Sequence, residues 1–187
     1  MIKCMVDVET LSQQPNAAVI SIGVAFFDDT QVIAAESWAI APADWHGDLQ
    51  PETIQWWNNQ AEIAREFSFN GKSCAKAVAI ALHDLVDKHS PDEFWANDPD
   101  FDLIILKAWW SRCAMVMKFP IPFWAHRSYR TLVSLTKELT GIDPKKEWAG
   151  SFIAHNPAED AVAQSRVVIQ CRKILKTMHD ARDHDEQ

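Results

Sequence analysis

A chain of 187 residues, 48% of them hydrophobic, can bury one substantial core but not two ordinary domains. Its formal charge of −8 excludes a protein that coats nucleic acid by charge alone, because such binding needs Lys and Arg to neutralise phosphates. An enzyme acting on a polyanion stays open, since bound divalent cations reverse the sign of an acidic pocket.

The predicted elements run as follows. Ile2 to Glu9, Ala17 to Asp28 and Val32 to Ile40 are rich in β-branched and aromatic residues and read as strands, the first two joined by a polar turn around Gln13-Gln14-Pro15-Asn16. Pro51 to Gln60 opens with Pro and Glu, which suits a helix start. Lys72 to Lys88 carries an apolar stripe at Ala75, Val78, Ala79, Leu82, Leu85 and Val86, and is predicted helical. Glu93 to Ala96 reads as a short buried strand. Asp98-Pro99 reads as a cap and first-turn proline launching a helix to about Met117. A strand over Pro122 to Ala125, a helix from Ser128 to Thr140 and a helix from Pro157 to about Met178 follow, then a polar tail, His179 to Gln187. Strands followed by alternating helix and strand predict a mixed sheet with helices on its faces, in one domain over residues 1–178.

Cys4, Cys74, Cys113 and Cys171 are widely spaced without a CxxC pair, which fits reduced thiols of a cytoplasmic protein. No apolar run has membrane-spanning length and no signal-peptide pattern is present, so no membrane partner is expected.

Three short stretches carry chemistry. Asp7 and Glu9 stand two apart on a predicted strand, so both side chains point to one face and can grip a cation together. Like charges that close are tolerable when one protonates or a cation neutralises both; a solvated sheet edge is the competing explanation. Asp102 falls near a helix start, where the dipole favours an anion with or without a metal. Asn156-Pro157-Ala158-Glu159 reads as N-cap, first-turn proline and capping-box glutamate, which places His155 and Asp160 at the two positions that meet across a helix entry. A His beside a carboxylate keeps its pKa near neutrality and can take a proton from water. A surface histidine beside a well-capped helix is the alternative.

The run Met5 to Leu11, the following Ala17 to Val24, the block Asn97 to Asp102 and the block His155 to Asp160 together resemble the DEDD exonuclease superfamily, in its histidine-bearing (DEDDh) branch. The likeness is to the small stand-alone exonucleases of phages and prophages, and extends from Ile2 to about Leu175. It implies an α/β RNase H-like fold and a 3′–5′ exonuclease acting on single-stranded 3′ ends of RNA or DNA. It further implies that Asp7, Glu9, Asp102 and Asp160 hold two Mg²⁺ or Mn²⁺ ions, with His155 as general base. By the same resemblance Thr10 and Leu11 line the slot for the last nucleotide, and Asn97 and Phe101 belong to its wall. Trp56-Trp57 resembles a paired element of the stand-alone branch, in which an exposed ring stacks on a base; core packing is the competing explanation for the pair. The branch departs from this chain at Ser12-Gln13-Gln14, where many relatives carry a glycine. Homodimers are common in the branch.

The other tryptophans, Trp38, Trp95, Trp109, Trp110, Trp124 and Trp148, are expected in the core, and Lys107, Arg112, Lys118, Arg127 and Arg130 mainly on solvated helix faces. The rival function class is an exonuclease fold that has lost catalysis and serves as a nucleic-acid-binding or interaction module. All five catalytic-type residues are present, which favours the enzyme, because a binding module gains nothing from buried like charges.

Overall fold

The computed structural model describes residues 1–114, 116–147 and 154–185. Five strands, β1 (Lys3–Thr10), β2 (Val19–Phe27), β3 (Val32–Ala39), β4 (Glu93–Ala96) and β5 (His126–Ser128), form one sheet in the order β3-β2-β1-β4-β5. The first three pair antiparallel, and β4 and β5 join in parallel beside β1. Among the described residues seven α-helices surround the sheet: α1 (Pro51–Trp57), α2 (Glu62–Phe69), α3 (Ala75–His89), α4 (Asp102–Cys113), α5 (Tyr129–Thr140), α6 (Pro144–Glu147) and α7 (Pro157–Asp185).

Period-two alternation along β1 sorts its residues between two layers. Cys4, Val6 and Val8 enter a core built with α3 and α4, whereas Met5 packs on the other side with Ala161, Val167 and Val168 of α7. Asp7 and Glu9 continue the Met5 series and so belong to the α7 side. β2 is buried along its whole length, as expected of an inner strand covered on both faces. Gly23 of β2 pairs with Asp7, and a Cβ there would overlap the carbonyl of Pro157 and the amide of Ala158. Only glycine lets the start of α7 lie this close to the sheet.

Several expected boundaries move. Residues 97–101 form a tight turn in place of the first helical turn: the Asp98 carbonyl accepts from the Phe101 and Asp102 amides, and α4 begins at Asp102. The expected strand over Pro122 to Ala125 is a short 3₁₀ turn, Phe123–Ala125, with the strand following it. Pro122 has no N–H for a ladder, and pairing with β4 starts only at Phe94 opposite His126. Ser128 caps α5 as its hydroxyl accepts from the Thr131 amide. The final helix runs to Asp185 instead of ending near Met178. α2 and α6 were not legible as helices.

Trp95, Trp109 and Trp110 are buried and Trp38 packs against the core, as expected. Trp124 is not: it is 70% exposed, edge-on to exposed Phe123 at the surface turn before β5. Trp148 lies outside the described residues.

Candidate active site

The C-terminal end of β1, the turn after β4, the first turn of α4 and the start of α7 converge on one cleft of about 830 Å³. Asp7, Glu9, Asp102, His155 and Asp160 all line it. Each arrives by a different local rule. Asp7 and Glu9 alternate with buried Val8 on β1. Asp102, 4% exposed, is fixed by two backbone amides: Val8 N–H donates to Oδ1 and Asp98 N–H to Oδ2, each at 3.3 Å. Asn156 caps α7 through Oδ1, which accepts from the Glu159 amide at 3.3 Å. His155 takes a left-handed backbone (φ 65°) just before that cap, a costly conformation outside glycine. This turn aims its amide at Asp160, whose Oδ2 accepts at 2.6 Å. The expected closeness of His155 and Asp160 is therefore real, but it is made by the histidine backbone. The ring points to Glu9, with Nδ1 3.5 Å from Oε1.

Glu9, His155 and Asp160 each present a ligand atom within 4.8 Å of the others, a possible metal-holding triad. Asp7 lies beside it, where Gln164 Nε2, one helical turn beyond Asp160 on α7, donates to its Oδ1 at 3.1 Å. Among the described residues no Lys or Arg pairs with any of the four carboxylates. The electrostatics follow from that. Burial, then repulsion from Glu9, Asp102 and Asp160, holds the Asp7 carboxyl well above the usual range. Burial pushes Asp102 up to about 7 and Asp160 up to about 6. Glu9 is raised by burial, partly opposed by its hydrogen bond to His155, and that same bond raises the His155 pKa.

A family model described as the 3′–5′ exoribonuclease Rv2179c-like domain matches residues 2–172. The chain belongs to this family. As an Rv2179c-like protein it is a hydrolase, a 3′–5′ exonuclease. It is 21% identical over 217 aligned positions to the exodeoxyribonuclease of Enterobacteria phage T4, covering 100% of this chain and 96% of the phage protein. Among solved structures, E. coli exonuclease I in complex with a dT13 oligonucleotide superposes with a TM-score of 0.70 at 14% identity, over 96% of this chain and 43% of that one. The moderately thermophilic exonuclease I of Methylocaldum szegediense gives 0.68 at 13% identity, over 92% and 40%. The chain thus spans less than half the length of the exonuclease I chains, and the likeness establishes the RNase H-like fold.

The Rv2179c-like cleft also sorts the expected substrate residues. Asn97, Phe101, Thr10 and Trp56 line it. The Thr10 hydroxyl is already committed, donating to the Ser12 carbonyl at 2.7 Å. Leu11 does not line the cleft: it turns into a small core with Ala18, Ile20 and Trp57, its amide bonded to the Ala18 carbonyl. Of the Trp56-Trp57 pair, Trp57 is the buried one. Its ring is 1% exposed and its Nε1 donates to the Thr10 carbonyl, so it braces the end of β1 from behind. Trp56, beside it on the same short helix and edge-on to it at 5.3 Å, is 42% exposed and meets the His155 ring edge-on at 4.8 Å between centroids.

Two residues of the cleft were underweighted from sequence. Arg130, in the first turn of α5, lines it and reaches Asp98 at 3.8 Å, whereas Arg127 is spent on Glu93 and on backbone carbonyls and Arg112 on the Ala17 carbonyl. Gln164 lines it too, and its spacing of four from Asp160 on a helix was the available signal.

Proposed function

We propose that this protein is a metal-dependent exonuclease that removes nucleoside 5′-monophosphates from the 3′ end of single-stranded nucleic acid. The observation that carries this is the convergence of four carboxylates, drawn from three separate parts of the chain, in one cleft, with no Lys or Arg paired to them among the described residues. Carboxylates crowded this way either hold protons or hold metal. An all-oxygen donor set with one imidazole alongside suits hard divalent cations such as Mg²⁺ or Mn²⁺. Asp7, Glu9, Asp102 and Asp160 would hold two such ions, which when bound supply charge neutralisation to the attacking and leaving oxygens of an in-line displacement.

The protein's own groups do the rest. His155 is the general base: Glu9 engages Nδ1, which leaves Nε2 to take the proton from the attacking water. The Asp160 carboxylate holds the His155 backbone in its left-handed turn and so fixes where the ring stands. Trp56 offers an exposed face for the terminal base, and stacking is indifferent to base identity. Arg130 offers a forked donor to a backbone phosphate at the mouth of the cleft. The four free cysteines fit action in the cytoplasm.

The family description names RNA and that of the phage relative names DNA, so the proposal covers both sugars. Matched RNA and DNA oligonucleotides, each free or blocked at one end, digested with Mg²⁺, Mn²⁺ or EDTA, test it. Cleavage is expected to need a metal and a free 3′ end. Activity that persists in EDTA, or that ignores a 3′ block, would refute it.

A further inference from the structure

The four carboxylates of the cleft are not oriented alike. Asp102 has a backbone amide on each oxygen. Asp160 has the His155 amide and Glu9 has the His155 ring. Among the described residues Asp7 has only a side chain: Gln164 Nε2, 3.1 Å from Oδ1 and 157 residues away in sequence. Backbone amides are fixed by the fold itself, whereas a glutamine side chain is a replaceable part.

Gln164 is also an expensive choice on packing grounds. Its other polar atom, Oε1, is buried and has no hydrogen-bond partner among the described residues. An unsatisfied buried acceptor is a net cost to folding, and an apolar side chain of the same size would avoid that cost. The side chain is half-buried and lines the cleft with Asp7 and Asp160. The amide donor to Asp7 is what the glutamine adds and leucine cannot.

We infer that Gln164 is a positioning residue for the metal site: it ties Asp7 Oδ1 so that Oδ2 is the oxygen turned to a cation. The inference rests on the metal-dependent function proposed above. A donor that orients a metal-binding carboxylate acts mainly on metal affinity, and loss of such a partner weakens binding about 10- to 100-fold. α7 then contributes twice, with Asp160 as a ligand and, one turn on, the group that orients a ligand across the cleft.

The test is calorimetric titration of Mn²⁺ into the metal-free wild-type protein, Gln164→Leu and Gln164→Asn, without nucleic acid. Leu keeps the volume and loses the donor; Asn keeps the amide but is one methylene too short to reach Asp7. Wild type is expected to bind Mn²⁺, and both variants to bind at least about tenfold more weakly, with far-UV circular dichroism and metal-free melting close to wild type. Either well-folded variant binding Mn²⁺ as tightly as wild type overturns the role of Gln164 while leaving the metal-dependent function standing. A wild-type protein that binds no Mn²⁺ removes both together.

Discussion

His155 Nδ1 lies 3.5 Å from Glu9 Oε1, although Glu159 and Asp160 are far nearer to it along the chain. The ring of α7's entry is thereby tied to the sheet, and the pair closes the cleft between two elements that are 146 positions apart in sequence (155 − 9). Replacing His155 by Ala removes the base while leaving the metal-holding carboxylates. A general base contributes about 10²- to 10⁴-fold, so kcat is expected to fall by that order with KM nearly unchanged. Single-turnover digestion of a labelled oligonucleotide measures it, and a fall confined to KM would speak against the role.

Adjacent tryptophans should behave oppositely. Trp57 is buried and bonded to the Thr10 carbonyl, so Trp57→Ala is expected to destabilise the fold by about 3–5 kcal/mol. Trp56→Ala should barely move the unfolding midpoint but raise KM about 5- to 150-fold, the equivalent of one lost base stack. Denaturant unfolding and steady-state kinetics on both variants separate the two roles.

Gly23 is the point where α7 meets the sheet, opposite Asp7. Gly23→Ala places a methyl group against the Pro157 carbonyl and must push the helix entry outward. Overpacking of this kind costs about 1–3 kcal/mol. Because His155 and Asp160 ride on that entry, activity should drop by more than the loss of folded protein accounts for. Equal activity per folded molecule would show that the close approach is not needed.

On the proposed function, protons and metal compete for the same carboxylates. In the metal-free protein Asp102 titrates near 7 and Asp160 near 6, both raised chiefly by burial, against about 4 for an unfolded Asp. Folding therefore holds these protons more tightly than the unfolded chain does. Their contribution is complete below about pH 4 and is lost as pH rises through 6 and 7. In EDTA the melting temperature should fall between pH 5 and pH 8, and Mg²⁺ should raise it more at pH 8 than at pH 5. Asp102→Asn should flatten the fall; an equally steep fall in that variant would assign it to other groups.

Arg130 should matter through phosphate charge. One contact to a single strand accounts for a slope of about −0.7 in log affinity against log salt. Arg130→Ala is expected to make the salt dependence of KM shallower by about that amount, with kcat and melting unchanged, whereas an unaltered slope would return Arg130 to an ordinary solvated position.

Much of this was legible in the chain. Alternation on β1 put Asp7 and Glu9 on one face, and the cap at Asn156 brought His155 to Asp160, because both follow from local geometry. The entry turn hid its detail: a left-handed His155 turns its amide to Asp160 and frees its ring for Glu9, and no propensity announces that. Leu11 was misplaced because the facing of a residue just past a strand depends on the irregularity at Glu9 and Thr10 where β1 pairs with β2, and the sequence left open which of Trp56 and Trp57 is buried. Asp102 arrived at the expected place by an unexpected route, a turn over residues 97–101 in place of a helical turn, because its carboxylate gathers amides from two separate segments.

The most direct measurement follows a 5′-labelled single strand incubated with the protein and Mg²⁺ or Mn²⁺, beside Asp102→Asn. Wild type should shorten the strand one nucleotide at a time from its 3′ end and release nucleoside 5′-monophosphates, and the variant should leave it nearly intact. A folded, metal-loaded wild type that binds the strand without shortening it would contradict the account.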